Sequence, residues 1–327
     1  MSALIFRRSL AAVAAAFLLT SITAGAQFTT SLSGPVLGYI FDRSAGKVRP
    51  IKGILGSATI GAAIDSEMTA TEMVTLDFNH AVVSSENSPE LLVLNLSGSS
   101  VSAVTIPGAP ARPSRSAVSL QGTAAAFYYS ESQQLRIISG LPNEPRLAGL
   151  LQVEQSLAHM AVSDDGTLLL FSVAHPEGDS IHLWTSQSGS ISFVTSAASI
   201  SGIAMTRSGD AIVTDRVTDE VFAIWNLRGG GVRQLLAGTK EGVSIPRGVA
   251  VSSGNRIYVA NVGLGTAMVF DSNGRFLKHQ KCDCTISGIY PLRDSVFRLT
   301  DRIDQTTFLL DTTSTDERIL FVPPPQE

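Results

Sequence analysis

The stretch Ile245-Pro246-Arg247-Gly248-Val249-Ala250-Val251-Ser252-Ser253-Gly254-Asn255-Arg256-Ile257-Tyr258-Val259-Ala260-Asn261, continued by Ala267-Met268-Val269-Phe270-Asp271-Ser272-Asn273-Gly274-Arg275-Phe276, reads as short strands separated by tight turns. Apolar residues fill Val249 to Val251, Ile257 to Ala260 and Ala267 to Phe270. Gly254-Asn255 and Asn273-Gly274 are residue pairs that reach the backbone conformations a hairpin turn requires. No run has the length or the 3.6-residue period of a helix.

The same unit recurs outward in both directions. From Met73 on, six copies begin with an inner strand, turn at Gly or a polar pair, and continue into a β-branched second strand. Their turns are Asp77-Phe78-Asn79, Gln121-Gly122, Asp164-Asp165-Gly166, Arg207-Ser208-Gly209, Ser252-Ser253-Gly254-Asn255 and Arg293-Asp294. The third strands register most clearly, at Glu90–Leu94, Gln134–Ile138, Ser180–Trp184, Val221–Trp225, Thr266–Phe270 and Thr307–Leu310, spaced by 44, 46, 41, 45 and 41 residues. Four strands at this period make a blade of an all-β propeller.

A further hairpin stands at the front, Gly38–Asp42 and Lys47–Ile51, and reads as a third and fourth strand with no first and second before it. The count therefore predicts a seven-bladed ring with a thin first blade; the alternative is six blades with an N-terminal hairpin appendage. The last copy, Ile286 to Val322, looks complete, so the sequence leaves the closing device open. Ser57 to Ile64 reads either as an extra strand or as a surface loop.

Residues 1–26 are a different kind of sequence. Arg7-Arg8 open an apolar run from Leu10 to Leu19, and Ala24-Gly25-Ala26 precede Gln27. This is the pattern of a secretory signal peptide. Its core of about ten residues is too short to span about 30 Å of hydrocarbon, though a retained signal anchor is the other reading. The expected organisation is a signal peptide over 1–26, a single propeller over 27–322 and a tail over 323–327. A secreted or periplasmic protein follows, with no membrane span after cleavage.

Charged residues make up 16% of the chain and the net charge is −4, a balance that argues against nucleic acid as a partner. Only two cysteines occur, Cys282 and Cys284, so stacked apolar sheets rather than a disulfide framework must supply stability.

The copy at Ile245 to Phe276 resembles the NHL repeat and the related repeats of YncE-like propellers. Pro246 and Gly248 precede the Val249-Ala250-Val251 strand, Gly254-Asn255 make the turn, and Tyr258-Val259-Ala260-Asn261 and Phe270-Asp271 with Gly274 complete the match. Gly202-Ile203-Ala204, Gly209 to Asp215 and Phe222 to Asn226 match more loosely. The resemblance implies a β-propeller and implies no particular activity.

Candidate ligand-binding residues lie at the second-strand ends, where Asp215, Asn261 and Asp301 occupy one place in three copies. Radial symmetry could bring them to a shared rim or channel, where carboxylates and an amide suit a metal ion or a sugar-like ligand. The competing reading is that they cap local turns. His159, at the start of an inner strand, could border the channel, whereas His182 is expected on a solvent face. In His279-Gln280-Lys281-Cys282-Asp283-Cys284, an extended chain would place the two sulfurs on one face with Cα atoms roughly 6.5 to 7 Å apart. That spacing leaves three readings: a disulfide, two idle thiols, or a zinc or copper site with His279.

The sequence therefore predicts a module that binds a protein, glycan or small molecule, without catalysis or a cofactor. The alternative is a calcium- or zinc-dependent hydrolase or lactonase. Gluconolactonase-type propellers surround a metal with one Glu, amides and an Asp, and here the available Glu67 and Glu72 sit in an irregular junction.

Overall fold

The computed structural model describes residues 35–64, 68–97, 101–293, 295–314 and 316–325; the signal-peptide reading of residues 1–26 falls outside them. From Gly34 onward the chain is one compact unit. It is a seven-bladed β-propeller of antiparallel sheets. Blade 2 comprises Ala70–Thr75, His80–Ser85, Glu90–Asn95 and Ser102–Pro110. Blade 3 comprises Arg115–Val118, Ala124–Tyr129, Gln134–Ser139 and Arg146–Gln152. Blade 4 comprises Leu157–Val162, Leu168–Val173, Asp179–Thr185 and Ile191–Ala197. Blade 5 comprises Ile200–Met205, Ala211–Asp215, Glu220–Trp225 and Val232–Ala237. Blade 6 comprises Pro246–Val251, Ile257–Asn261, Thr266–Phe270 and Phe276–Lys281. Blade 7 comprises Tyr290–Arg293, Val296–Arg298, Thr307–Asp311 and Arg318–Val322.

Blade 1 has three strands, Val36–Asp42, Lys47–Ile54 and Ser57–Ile60. The leading hairpin supplies its two inner positions, not the third and fourth as its sequence suggests. The misleading signal is the turn. Asp42 Oδ1 accepts the Ser44 and Ala45 N–H groups, as Asp271 Oδ1 does from Asn273 and Arg275 and Asp311 Oδ1 from Thr313 in genuine third-strand turns.

The inner strand of blade 1 also runs against its neighbours. Its terminal turn meets the start of blade 2, where the Gly46 carbonyl accepts the Ala70 N–H at 3.0 Å. From the middle of the strand, the Tyr39 hydroxyl donates to the Leu96 carbonyl at the opposite end of blade 2, 2.5 Å away. Parity explains the reversal: every blade must deliver its last strand to the start of the next inner strand, and three strands do so only if the first is inverted.

The blades are held together seam by seam. Second strands such as Ala124–Tyr129 and Leu168–Val173 are buried at every residue, because alternate side chains serve the seams on either side. Ala211 and Val213 pack towards blade 4, while Ile212 packs towards blade 6. Among the described residues there are seven apolar clusters, one per seam. Fully buried Phe127, Phe171, Phe222, Phe270 and Phe297 lie in them, each contributing about 1.5–3 kcal/mol by burial.

Closure uses the same device. Leu37, Ile40, Ile51, Ala58 and Ile60 of blade 1 pack against Leu292, Val296, Leu309 and Val322 of blade 7. Among the described residues no strand from the chain's end joins blade 1, so the ring closes by face packing. No helix among them is long and apolar enough to cross a membrane.

Candidate functional site

Each inner strand is the terminal strand of its sheet, so one row of its N–H and C=O groups has no partner within the sheet. These seven edges surround an axial cavity of about 510 Å³, within the range of roughly 300–1,000 Å³ typical of small-molecule sites.

One mouth of the cavity is charged. Arg43, Glu72, Ser116, Tyr290, Arg298 and Asp301 line it. Glu72 lies near the start of its inner strand, and Arg298 ends the second strand of blade 7, which places both on the same side of the ring. Arg43 joins them because the blade 1 strand is reversed and delivers its terminal turn to that side. Burial raises the Glu72 carboxyl above its ordinary value, opposed by the Arg43 and Arg115 charges and a hydrogen bond to Ser116.

Arg298 is out of keeping with its repeat position. Cross-strand pairing matches Tyr290 with Arg298, whereas the same column in the other four-stranded blades pairs Val74 with Val82, Ala117 with Ala126, Ala161 with Leu170, Ala204 with Ile212 and Ala250 with Tyr258. A small residue opposite an apolar one or a tyrosine has become a tyrosine opposite an arginine. The guanidinium carbon of Arg298 lies 5.4 Å from the centre of the Tyr290 ring. Among the described residues it has no hydrogen bond or ion pair. Burial pushes its pKa below the usual arginine value, with Tyr290 and Asp301 acting in the opposite sense and Arg43 adding to the depression.

The residues singled out in the sequence are not brought together. Asp215 is fully buried and spent on its own blade: Oδ2 accepts the Ala198 N–H at 2.6 Å, and Oδ1 accepts Ser199, Val217 and Thr218. Asn261 is its counterpart. Its Oδ1 accepts the Ser244 N–H at 2.7 Å, and its Nδ2 donates to the Gly242 carbonyl and Thr266 Oγ1. Both side chains tie the incoming loop to the blade at the rim. Only Asp301 reaches the cavity; the second strand of blade 7 stops at Arg298, leaving Asp301 exposed at the mouth.

His159 is not among the residues lining the cavity; it hydrogen-bonds the Ile200 backbone of blade 5, and burial lowers its pKa. His182 is not on a solvent face but lies between the rings of Phe171 and Phe193, at 5.6 and 5.9 Å. Cys282 and Cys284 form a disulfide with Cα atoms 5.0 Å apart, because the chain bends there rather than staying extended. His279 is turned to the Glu241 carbonyl, 2.8 Å away, and to Thr266 Oγ1.

The sequence pattern does not single out Arg43, Glu72 or Arg298 as site residues. Glu72 reads as part of an irregular junction, and Arg43 as a turn residue of the leading hairpin. Arg298 was legible in principle, as the one charge in an otherwise uncharged column of the repeat.

No protein-family model matches the chain, and no curated protein does. Solved structures match it in fold. A functionally unknown protein from Desulfotomaculum acetoxidans DSM 771 superposes with a TM-score of 0.59 at 14% identity, over 88% of this chain and 99% of that one. A protein from Lactobacillus plantarum gives 0.56 at 13% identity, over 88% and 95%. A catalytically inactive virginiamycin B lyase from Staphylococcus aureus, solved with quinupristin, gives 0.51 at 12%, over 86% and 93%. At these identities, what the chain shares with all three is the propeller itself.

Proposed function

We propose that this protein is an exported, non-catalytic binding module of the NHL or YncE-like kind that takes a small polar molecule into its axial cavity. The observation that carries the reading is the convergence of Arg43, Glu72, Ser116, Arg298 and Asp301, from four blades, on one mouth of a 510 Å³ cavity. Unpaired strand edges around the axis offer further donors and acceptors. Binding is favoured over metal-dependent hydrolysis because Asp215 and Asn261, which a hydrolase would need at the axis, are consumed by backbone groups at the rim. Export rests on the Arg7-Arg8, Leu10 to Leu19 and Ala24-Gly25-Ala26 pattern.

The test is a thermal-shift screen of small acids, amines and sugars against the protein lacking residues 1–26 and its Ser116→Trp variant, which places an indole at the mouth. Ligand-induced shifts in the parent protein should vanish in the variant. Shifts that persist undiminished would place the ligand elsewhere.

A further inference from the structure

We propose that the axial cavity recognises a small hydroxylated carboxylate, with Arg298 as the anion-binding group, Arg43 as its auxiliary and Glu72 and Asp301 as acceptors for ligand hydroxyls. The inference rests on the cavity reading above and names the ligand class.

Arg298 is half-buried, and a partly desolvated guanidinium is ordinarily met by a carboxylate at hydrogen-bonding distance. Here two carboxylates, Glu72 and Asp301, line the same mouth, yet neither forms an ion pair with Arg298 or Arg43 among the described residues. The charges act on one another across the mouth without closing into an ion pair. Such an arrangement satisfies a ligand that carries both an anion and hydroxyl donors better than it satisfies itself.

Arginine geometry narrows the anion. The planar fork presents parallel N–H groups that a carboxylate accepts in pairs. The Tyr290 ring, its centre 5.4 Å from the guanidinium carbon, restrains the side chain, so less conformational freedom is lost on binding. The remaining groups favour hydroxyls on the ligand body. The carboxyl oxygens of Glu72 and Asp301 accept hydrogen bonds, and Ser116 adds a hydroxyl. The inner-strand edges of the seven blades present alternating donors and acceptors along the walls.

Position supports the assignment. The Tyr290–Arg298 pair faces the seam with blade 1, the blade whose three strands and reversed inner strand break the symmetry of the ring. The column that closes the other seams with alanine or valine opposite an apolar residue or tyrosine here carries a cation. A purely structural arginine would be expected to find its partner within that seam.

Isothermal titration calorimetry of the protein lacking residues 1–26 with D-glucuronate, D-glucose and D-glucosamine tests this, because the three share one ring and differ in charge. Glucuronate should bind at least 10-fold tighter than the other two, and raising salt should weaken it selectively. Arg298→Met should remove the preference for glucuronate over glucose, and Arg43→Gln should reduce it by a smaller factor. Without ligand, Arg298→Met should melt at or above the parent temperature, since a half-buried cation without an ion-pair partner is removed; a structural arginine would lower it. Equal affinity for glucuronate and glucose, no binding of glucuronate, or an Arg298→Met variant with unchanged preference would each overturn the assignment. If neutral or cationic probes bind and Ser116→Trp blocks them, the cavity reading stands and only the anion assignment falls.

Discussion

The seam between blades 5 and 6 and the seam between blades 7 and 1 solve one packing problem in different ways. At the first, Gly202 lies so close to blade 6 that an added Cβ would fall 2.6 Å from the Gly248 Cα, and eleven buried apolar residues fill the interface. At the second, nine do, and the near-axial pair is Tyr290–Arg298 in place of Ala204–Ile212. The seam between blades 1 and 2 has seven. Both seams of the three-stranded blade 1 are thinner than the regular one, and it is at the closing seam that charge and cavity meet.

The largest effect should come from emptying the thin join. Ile51→Ala in the closure seam and Ile212→Ala in the regular seam remove side chains that are equally buried, each costing about 2–5 kcal/mol. The comparison sharpens in hydrogen exchange. Ile51→Ala should open blade 1 locally while blade 6 keeps its protection, whereas Ile212→Ala should lower protection across the ring. Identical, global loss in both variants would mean that the closure seam is no weaker than the others.

The seam between blades 6 and 7 offers an intermediate case, where buried Glu317 meets Arg256 at 2.5 Å and Lys278 at 2.6 Å. Burial alone would raise the Glu317 carboxyl, but the Lys278 and Arg256 partners hold it below the ordinary value. A depressed carboxyl contributes stability above its unfolded value, near pH 4.3, and loses it as pH falls through the lower folded value. Glu317→Gln should therefore cost about 1–3 kcal/mol at pH 7, and the deficit should shrink below about pH 4. A deficit independent of pH would show that the charge is not what joins these blades.

The smallest effects belong to the rim. Asp215→Ala and Asn261→Ala should each cost about 1–2 kcal/mol through orphaned backbone groups, with ligand affinity unchanged. Loss of affinity in either would return these residues to the binding site.

How much of this was legible follows from where the repeat is obeyed. The third strand Thr266–Phe270 matches the sequence reading to the residue and the other third strands match within one residue at each end, because Gly, Asn or Asp signals mark their turns. The all-buried second strands were legible as apolar runs. Blade 1 was misassigned because Asp42 makes the same turn bonds as Asp271, and strand direction is set by parity around the ring, which no local pattern carries. The site was harder still. Asp215 and Asn261 looked available because their type suits ligands, but the loops they bind are remote in sequence, Ala198 and Ser244 lying 17 residues from them. Arg298 was detectable only by aligning the copies and asking which column changes character.

The most direct test of the central claim, that the ligand sits on the axis at the charged mouth and not at the rim, is hydrogen exchange followed by mass spectrometry with and without D-glucuronate. The account predicts added protection in peptides covering residues 69–75, 115–118 and 286–298, with none at 197–200 or 242–246. Protection confined to the latter two segments, with the inner strands unchanged, would contradict it.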